Sequence, residues 1–132
     1  MKEITSVHHI GLRVRCLDIS RNFYEKLRFV FLAGSVGPEP AAIFEHPSGV
    51  NINLILNASD EAPKNNVLMD NSIKLSGDTH VGSEISDYGS AEQKIEAMGM
   101  AITGQVQLEG ARFFFIRDPD GDVIEFHQPA RR

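Results

Sequence analysis

Apolar and polar residues alternate along much of the chain with the period of two that predicts β-strands. Residues 4–15 form such a strand, with Leu12 on its apolar side and His9 on the opposite side. The segment that follows has a helical spacing, and we expect a helix that ends near Arg28. Turn residues then separate three further predicted strands, at 29–33, 41–45 and 50–56. The first half therefore predicts a βαβββ module.

The same order of elements returns in the second half of the chain. The pattern predicts a strand at 80–86, a helix at 90–98 and three strands, at 101–106, 113–116 and 122–127. One such module leaves much of its apolar surface open, so two modules are expected to pack together. We therefore predict an α+β fold of two βαβββ modules in a single domain over 1–132. Its parts are module one at 4–57, a polar linker at 58–77 and module two at 78–128.

Four polar residues lie at matching places in the two halves. His80 follows His9 by 71 positions, and Glu125 follows Asn53 by 72. Strand alternation places all four on the face turned away from the predicted helices. Polar groups on a covered face need partners, and a divalent cation would satisfy two imidazoles, a carboxylate and an amide together. The repeat therefore predicts one metal site built from both halves. The adjacent His8 is expected on the other side of the strand.

Composition narrows the possible functions. A formal charge of −5 with no basic cluster argues against nucleic acid as a partner. No apolar run approaches the roughly 18 residues of a membrane span. The single Cys16 and the lack of an apolar secretory stretch at the N-terminus favour a reducing compartment, so we expect a cytoplasmic protein that binds neither nucleic acid nor membrane.

The sequence resembles the vicinal oxygen chelate superfamily, which includes glyoxalase I, bleomycin-resistance proteins and extradiol dioxygenases. The resemblance rests on four stretches, His9–Val14, Phe23–Leu27, Thr79–Val81 and Asp118–Phe126. It implies an open cup of about eight strands, a homodimer, and metal ligands at His9, Asn53, His80 and Glu125. The implied cofactor is one divalent ion, Zn, Ni, Co, Mn or Fe(II).

The resemblance implies a metal-dependent lyase or isomerase of the glyoxalase I type, acting on a small molecule with adjacent oxygens. Many glyoxalase I-like proteins carry Glu where this chain has Asn53, and an amide is a weaker ligand that cannot act as a base. Glu125 is therefore the expected catalytic carboxylate. The expected substrate contacts are Arg13, Asn51, Phe115 and His127.

Two other functions stay open at this stage. Two histidines and one carboxylate are also the ligands of non-haem Fe(II) oxygenases, so an extradiol-type dioxygenase is the first alternative. A resistance-type protein that binds a small molecule without catalysis is the second. Retention of His9, His80 and Glu125 argues against that second alternative.

Overall fold

The computed structural model describes residues 1–61 and 65–131, which contain two helices and eight strands in the order βαβββ–βαβββ. The elements of the first half are β1 (Ile10–Arg13), α1 (Leu17–Lys26), β2 (Val30–Val36), β3 (Ala41–Glu45) and β4 (Asn51–Ile55). Those of the second half are β5 (His80–Glu84), α2 (Tyr88–Ala97), β6 (Gly104–Leu108), β7 (Ala111–Arg117) and β8 (Val123–Gln128). The predicted fold class is confirmed.

The two halves share one sheet topology. The strand orders are β1-β4-β3-β2 and β5-β8-β7-β6, and in each sheet the first and last strands of the module are parallel neighbours. The register also repeats, because Gly11 pairs with Asn53 just as Gly82 pairs with Glu125. The repeat seen in the sequence is therefore a duplication of strand pairing.

The chain divides into two compact units, Met1–Ala62 and Pro63–Arg132, with one module in each. The division falls inside the predicted linker at 58–77. The described part of that linker, 58–61 and 65–77, contains turns and bends but neither helix nor strand. A single domain over 1–132 stays a prediction. Within the described ranges, neither helix has the length and apolar character needed to cross a membrane.

The core of the first unit lies between α1 and one face of its sheet. Strand β4 alternates, so Ile52 and Leu54 are buried while Asn53 on the opposite face is half-buried. Helix α1 buries Tyr24, whose ring meets Phe29 edge to face at 5.6 Å. This packing leaves the Asn53 side of β4 turned away from the core.

The core of the second unit follows the same rule. Phe114 and Ile116 of β7 are fully buried, and Phe114 packs edge to face on Tyr88 of α2 at 5.3 Å. Phe126 of β8 lies beside Phe114 at 5.0 Å, on the same face. Glu125, one residue before Phe126, therefore points to the face away from α2.

The expected separation of His8 and His9 is wrong. Strand β1 begins at Ile10 and not at residue 4, so both histidines precede the strand. Alternation applies only within a strand, and the two rings instead meet edge to face, with their Nδ1 atoms 2.9 Å apart. Strand β6 also lies later than predicted, because Met100 still bonds back to Ile95 after the helix.

Candidate metal centre

A carboxylate lies between two imidazoles on the face of the second sheet that is turned away from α2, which we call its free face; the free face of the first sheet is likewise the one turned away from α1. Glu125 Oε1 is 3.8 Å from His80 Nε2, and Glu125 Oε2 is 3.2 Å from His127 Nδ1. The Glu125 side chain is only 14% exposed, whereas both histidines are more than one-third exposed. The sequence placed these three residues on one face, and the structure brings them together.

The ring of His80 is held from its other side. Its Nδ1 atom is 2.8 Å from the hydroxyl oxygen of Thr79. When Nδ1 carries the proton and donates it to that hydroxyl, Nε2 presents a lone pair toward Glu125. Metal-bound histidines generally use their second nitrogen in this way, because it fixes both tautomer and ring orientation.

Strand pairing makes room for the carboxylate and supplies an aromatic wall beside it. Gly82 lies opposite Glu125, and a Cβ atom there would lie 3.2 Å from Oε2. On β7, Phe115 also pairs with Glu125, and its ring meets His80 edge to face at 6.1 Å. Phe113 stacks on His127 with ring centroids 4.9 Å apart and planes 11° apart. The carboxylate is therefore enclosed by rings on the strands around it.

The first unit carries the matching half of the predicted set. Asn53 is half-buried on the free face of β4, across from Gly11, and His9 directly precedes β1. The Nδ1 atom of His9 faces His8, which leaves its Nε2 atom outside that contact. These positions correspond through the duplicated register to those of Glu125 and His80 in the second unit.

Two expected substrate contacts also lie on the first sheet. The Nε atom of Arg13 donates to Asn57 Oδ1 at 2.8 Å, and its Nη2 atom is 3.5 Å from Glu39 Oε1. The side chain of Asn51 has a buried Oδ1 atom for which the described residues supply no hydrogen-bond donor. A buried acceptor without a donor costs about 1–3 kcal/mol, so Asn51 is suited to accept from a bound molecule.

The donors of the second unit fit a transition-metal ion. Two ligands at about 2.0–2.2 Å from one ion lie roughly 3–3.5 Å apart, and the 3.8 Å between His80 Nε2 and Glu125 Oε1 is close to that spacing. Over residues 1–61 and 65–131, no three His, Cys, Asp or Glu side chains are grouped as a metal site. His80 and Glu125 are therefore a partial donor set.

A second acidic group lies in the turn between β7 and β8, outside this cluster. Asp118 is buried and accepts the backbone N–H groups of Asp120 and Asp122, both at 2.9 Å. Burial of Asp122, together with the negative charge of Asp118, raises the pKa of the Asp122 carboxyl to about 7. The Asp-Pro-Asp-Gly signal predicted the turn, but it gave no sign of the paired carboxyls.

Two contacts that shape the site were not predicted from the sequence. They are the contact between Thr79 and His80 and the hydrogen bond from His127 to Glu125. A signal for the second contact was present, since residues two apart on a strand share a face. A signal for the first was weaker, because Thr79 precedes β5 and its direction follows from the local backbone alone.

Comparison with known proteins links this chain to one family. The model of the glyoxalase/bleomycin resistance protein/dioxygenase superfamily matches residues 6–126. A curated relative, "Glyoxylase I 4" of Arabidopsis thaliana, is 30% identical over an alignment of 128 positions that covers 92% of this chain and 70% of that protein.

Solved structures share the fold at lower identity. A glyoxylase/bleomycin resistance protein/dioxygenase domain from Frankia sp. EAN1pec has a TM-score of 0.76 at 24% identity, with 98% of this chain and 100% of that chain covered. A mutant of the fosfomycin resistance protein FosX from Listeria monocytogenes, complexed with Mn(II) and 1S,2S-dihydroxypropylphosphonic acid, has a TM-score of 0.72 at 17% identity, with 96% and 94% covered.

Proposed function

This chain belongs to the glyoxalase/bleomycin resistance protein/dioxygenase superfamily, and on that premise we propose that it is a divalent-metal-dependent lyase or isomerase. Its substrate would be a small molecule with two adjacent oxygen atoms. The observation that carries the proposal is the pair of His80 Nε2 and Glu125 Oε1, 3.8 Å apart on the free face of β5 and β8. FosX, which shares this fold and is complexed with Mn(II), supports the proposal of a divalent metal.

The proposed ligands are His9, His80 and Glu125, with Asn53 as a weaker fourth. Neutral imidazole and carboxylate groups suit Zn, Ni, Co, Mn or Fe(II), which leaves the choice among these ions to experiment. When bound, the ion would supply Lewis acidity that polarises a substrate carbonyl. Three strong protein donors would leave coordination positions open for substrate oxygens.

Glu125 is the proposed proton carrier. It is the carboxylate of the proposed ligand set, since Asn53 has no ionisable group. Its low exposure and the ring of Phe115 across the strand pair would limit access of water to the reacting carbon. Asn51 would accept a hydrogen bond from a substrate hydroxyl, and Arg13 would hold an anionic group at the edge of the site.

The experiment combines metal binding with turnover. Metal-free protein would be titrated in turn with Zn(II), Ni(II), Co(II), Mn(II) and, without oxygen, Fe(II). Each loaded form would then be assayed with hemithioacetals and with epimerisable acyl thioesters. We expect stoichiometric binding of at least one ion, and turnover that Glu125→Gln abolishes. The matched control is His46→Ala, because the His46 side chain hydrogen-bonds to nearby Ser48 in a turn and lies outside the proposed set. Metal binding without turnover of either substrate class would overturn the lyase or isomerase assignment.

A second function is favoured by one observation. An amide at Asn53 in place of a carboxylate leaves two histidines and one carboxylate as the strong donors, which is the ligand set of non-haem Fe(II) oxygenases. Oxygen uptake by Fe(II)-loaded protein in the presence of a catechol would select this function. Absence of uptake, with hemithioacetal turnover intact, would remove it.

The assembly and the compartment are proposed on separate grounds. We propose a homodimer by analogy with the superfamily, which sedimentation velocity would test directly. The exposed Cys16 forms no disulfide within the described residues, in keeping with a reducing, cytoplasmic location. Fractionation of cells that express the protein would test the location.

A further inference from the structure

His127 holds one oxygen of Glu125 and leaves the other oxygen for a different partner. The distance from His127 Nδ1 to Glu125 Oε2 is 3.2 Å, whereas Oε1 faces His80 at 3.8 Å. An ionised carboxylate only accepts hydrogen bonds, so Nδ1 of His127 carries the proton in this contact. The two carboxylate oxygens are therefore in unequal environments, and the contact with His127 determines which of them is free.

The His127 ring is itself fixed by its neighbour on β7. Phe113 and His127 pair across the two antiparallel strands, and their rings stack at 4.9 Å and 11°. Phe113 meets Phe115 edge to face at 5.8 Å, and Phe115 in turn meets His80. This row of rings runs beside Glu125 from one imidazole to the other, so the direction of the His127 N–H bond is set by packing.

Gly82 leaves the room in which Oε2 of Glu125 lies. The space beside Oε2 is the space that a side chain on residue 82 would occupy, because a Cβ atom there would lie 3.2 Å away. On its Oε2 side the carboxylate therefore has the donor of His127 and the space that Gly82 leaves. Its Oε1 atom is left facing His80.

We propose that His127 is a positioning residue that orients Glu125, so that Oε1 is the oxygen offered to the metal ion. This inference rests on the proposed function, since it assigns a role within that metal site. It changes the expected role of His127 from a substrate contact to an outer partner of a ligand. Outer partners of this type generally contribute about 10–100-fold to metal affinity.

Two variants separate the donor from the ring. His127→Phe keeps a ring that can stack on Phe113 but removes the donor. His127→Asn removes the ring but places an amide N–H near the position of Nδ1. In Mn(II) and Zn(II) titrations of metal-free protein, we expect His127→Phe to weaken binding by about tenfold. We expect His127→Asn to restore most of that loss, and Co(II)-loaded protein to show an altered visible spectrum for His127→Phe alone.

The outcomes distinguish this inference from the proposed function. Unchanged Mn(II) and Zn(II) affinity in His127→Phe, with affinity lost in Glu125→Gln, would overturn the positioning role while the metal site stands. Equal loss in both His127 variants would show that an N–H donor near the position of Nδ1 does not restore metal binding, and would also overturn it. If the unmodified protein binds none of these ions, the proposed function fails and the inference fails with it. Urea unfolding of each metal-free variant would show that the comparison is made between folded proteins.

Discussion

Gly82 and Glu125 lie opposite each other in the parallel pair of β5 and β8, with Oε2 of the carboxylate 3.2 Å from where a Cβ atom on residue 82 would be. The first unit repeats the pairing with Gly11 and Asn53, but there the nearest atom of the described residues to a Cβ atom would be Ile55 Cδ1, at an ordinary 3.5 Å. The same glycine position is thus tight beside the carboxylate and loose beside the amide.

This difference predicts unequal effects of the same substitution at the two glycines. Gly82→Ala is expected to push Oε2 of Glu125 aside and to weaken Mn(II) binding by about tenfold, the size of an outer-partner effect. Gly11→Ala, the matched control, is expected to change the Mn(II) affinity far less. Isothermal titration of both metal-free variants measures the effect. Equal affinities in the two variants would contradict the prediction.

Much of the fold can be predicted from the sequence because both halves of the chain carry the same βαβββ pattern. Alternation in β4 assigns the buried face correctly, since Ile52 and Leu54 are buried and Asn53 on the opposite face is half-buried. The spacings of 71 and 72 residues between the halves relate two equivalent strand pairs in the structure, Gly11 with Asn53 and Gly82 with Glu125. Periodicity was weakest at the strand ends, where hydrogen bonds rather than side chains set the boundary. His8 and His9 were misplaced for that reason.

The candidate site was predictable only in part. Strand parity placed His80, Glu125 and His127 on one face, because parity depends on sequence alone. Which oxygen of Glu125 meets which imidazole depends on side-chain rotamers and on the stacking of Phe113, and no spacing rule encodes these. The matching residues His9 and Asn53 rest on the repeat, and their part in one shared site stays a proposal.

The two helices start differently, which predicts opposite effects of substitution at their N-caps. Asp87 caps α2 and accepts the backbone N–H of Ser90 at 2.7 Å, whereas Cys16 at the same place before α1 makes no side-chain cap. Asp87→Ala is expected to lower the free energy of unfolding by about 1 kcal/mol. Cys16→Asp is expected to raise it by about 0.5–1 kcal/mol, while Cys16→Ala changes little. Urea unfolding followed by circular dichroism measures all three, and equal losses in Asp87→Ala and Cys16→Ala would contradict the assignment.

The buried carboxyl of Asp122 predicts a pH dependence of stability. Burial, and then the charge of Asp118, raise its pKa to about 7 in the folded protein, against 3.8 as the ordinary value. Between pH 3.8 and about 7, Asp122 holds a proton in the folded state that it has lost in the unfolded state. The contribution of the protonated carboxyl to folding stability is therefore complete below about pH 4 and is lost as the pH rises through about 7. The stability of Asp122→Asn is expected to depend less on pH. Its gain in stability over the unmodified protein is therefore expected to be largest at pH 8.

The measurement is the difference in urea midpoint between the unmodified protein and Asp122→Asn at pH 5 and at pH 8. Comparison of the two proteins at each pH cancels the titration of other groups they share. Asp78→Asn, which neutralises an exposed carboxylate in the same unit, controls for the change in net charge. A midpoint difference that is the same at both pH values would show that Asp122 does not hold the proton in the folded state.

Arg117 ties the linker segment 66–70 to the turn between β7 and β8. Its guanidinium donates to both carboxylate oxygens of Asp70, at 2.8 and 3.2 Å, and to the carbonyl oxygen of Gly121 at 3.0 Å. The same guanidinium holds the pKa of Asp70 below its ordinary value. Asn66 adds a second hydrogen bond to the Gly121 carbonyl, at 3.2 Å. The segment 66–70 is therefore fastened at both of its ends.

Arg117→Lys keeps the charge but loses the bidentate contact, because an ammonium group cannot reach both carboxylate oxygens of Asp70 and the carbonyl oxygen of Gly121 at once. We expect severalfold faster amide exchange over 66–70, with exchange in β7 and β8 unchanged because Phe114 and Ile116 still hold those strands in the core. Arg21→Lys is the matched control, since Arg21 pairs with Glu25 on α1 in the other unit. Hydrogen exchange with mass spectrometry resolves the segments. Equal exchange over 66–70 in both variants would mean that Asn66, and not Arg117, fastens the segment.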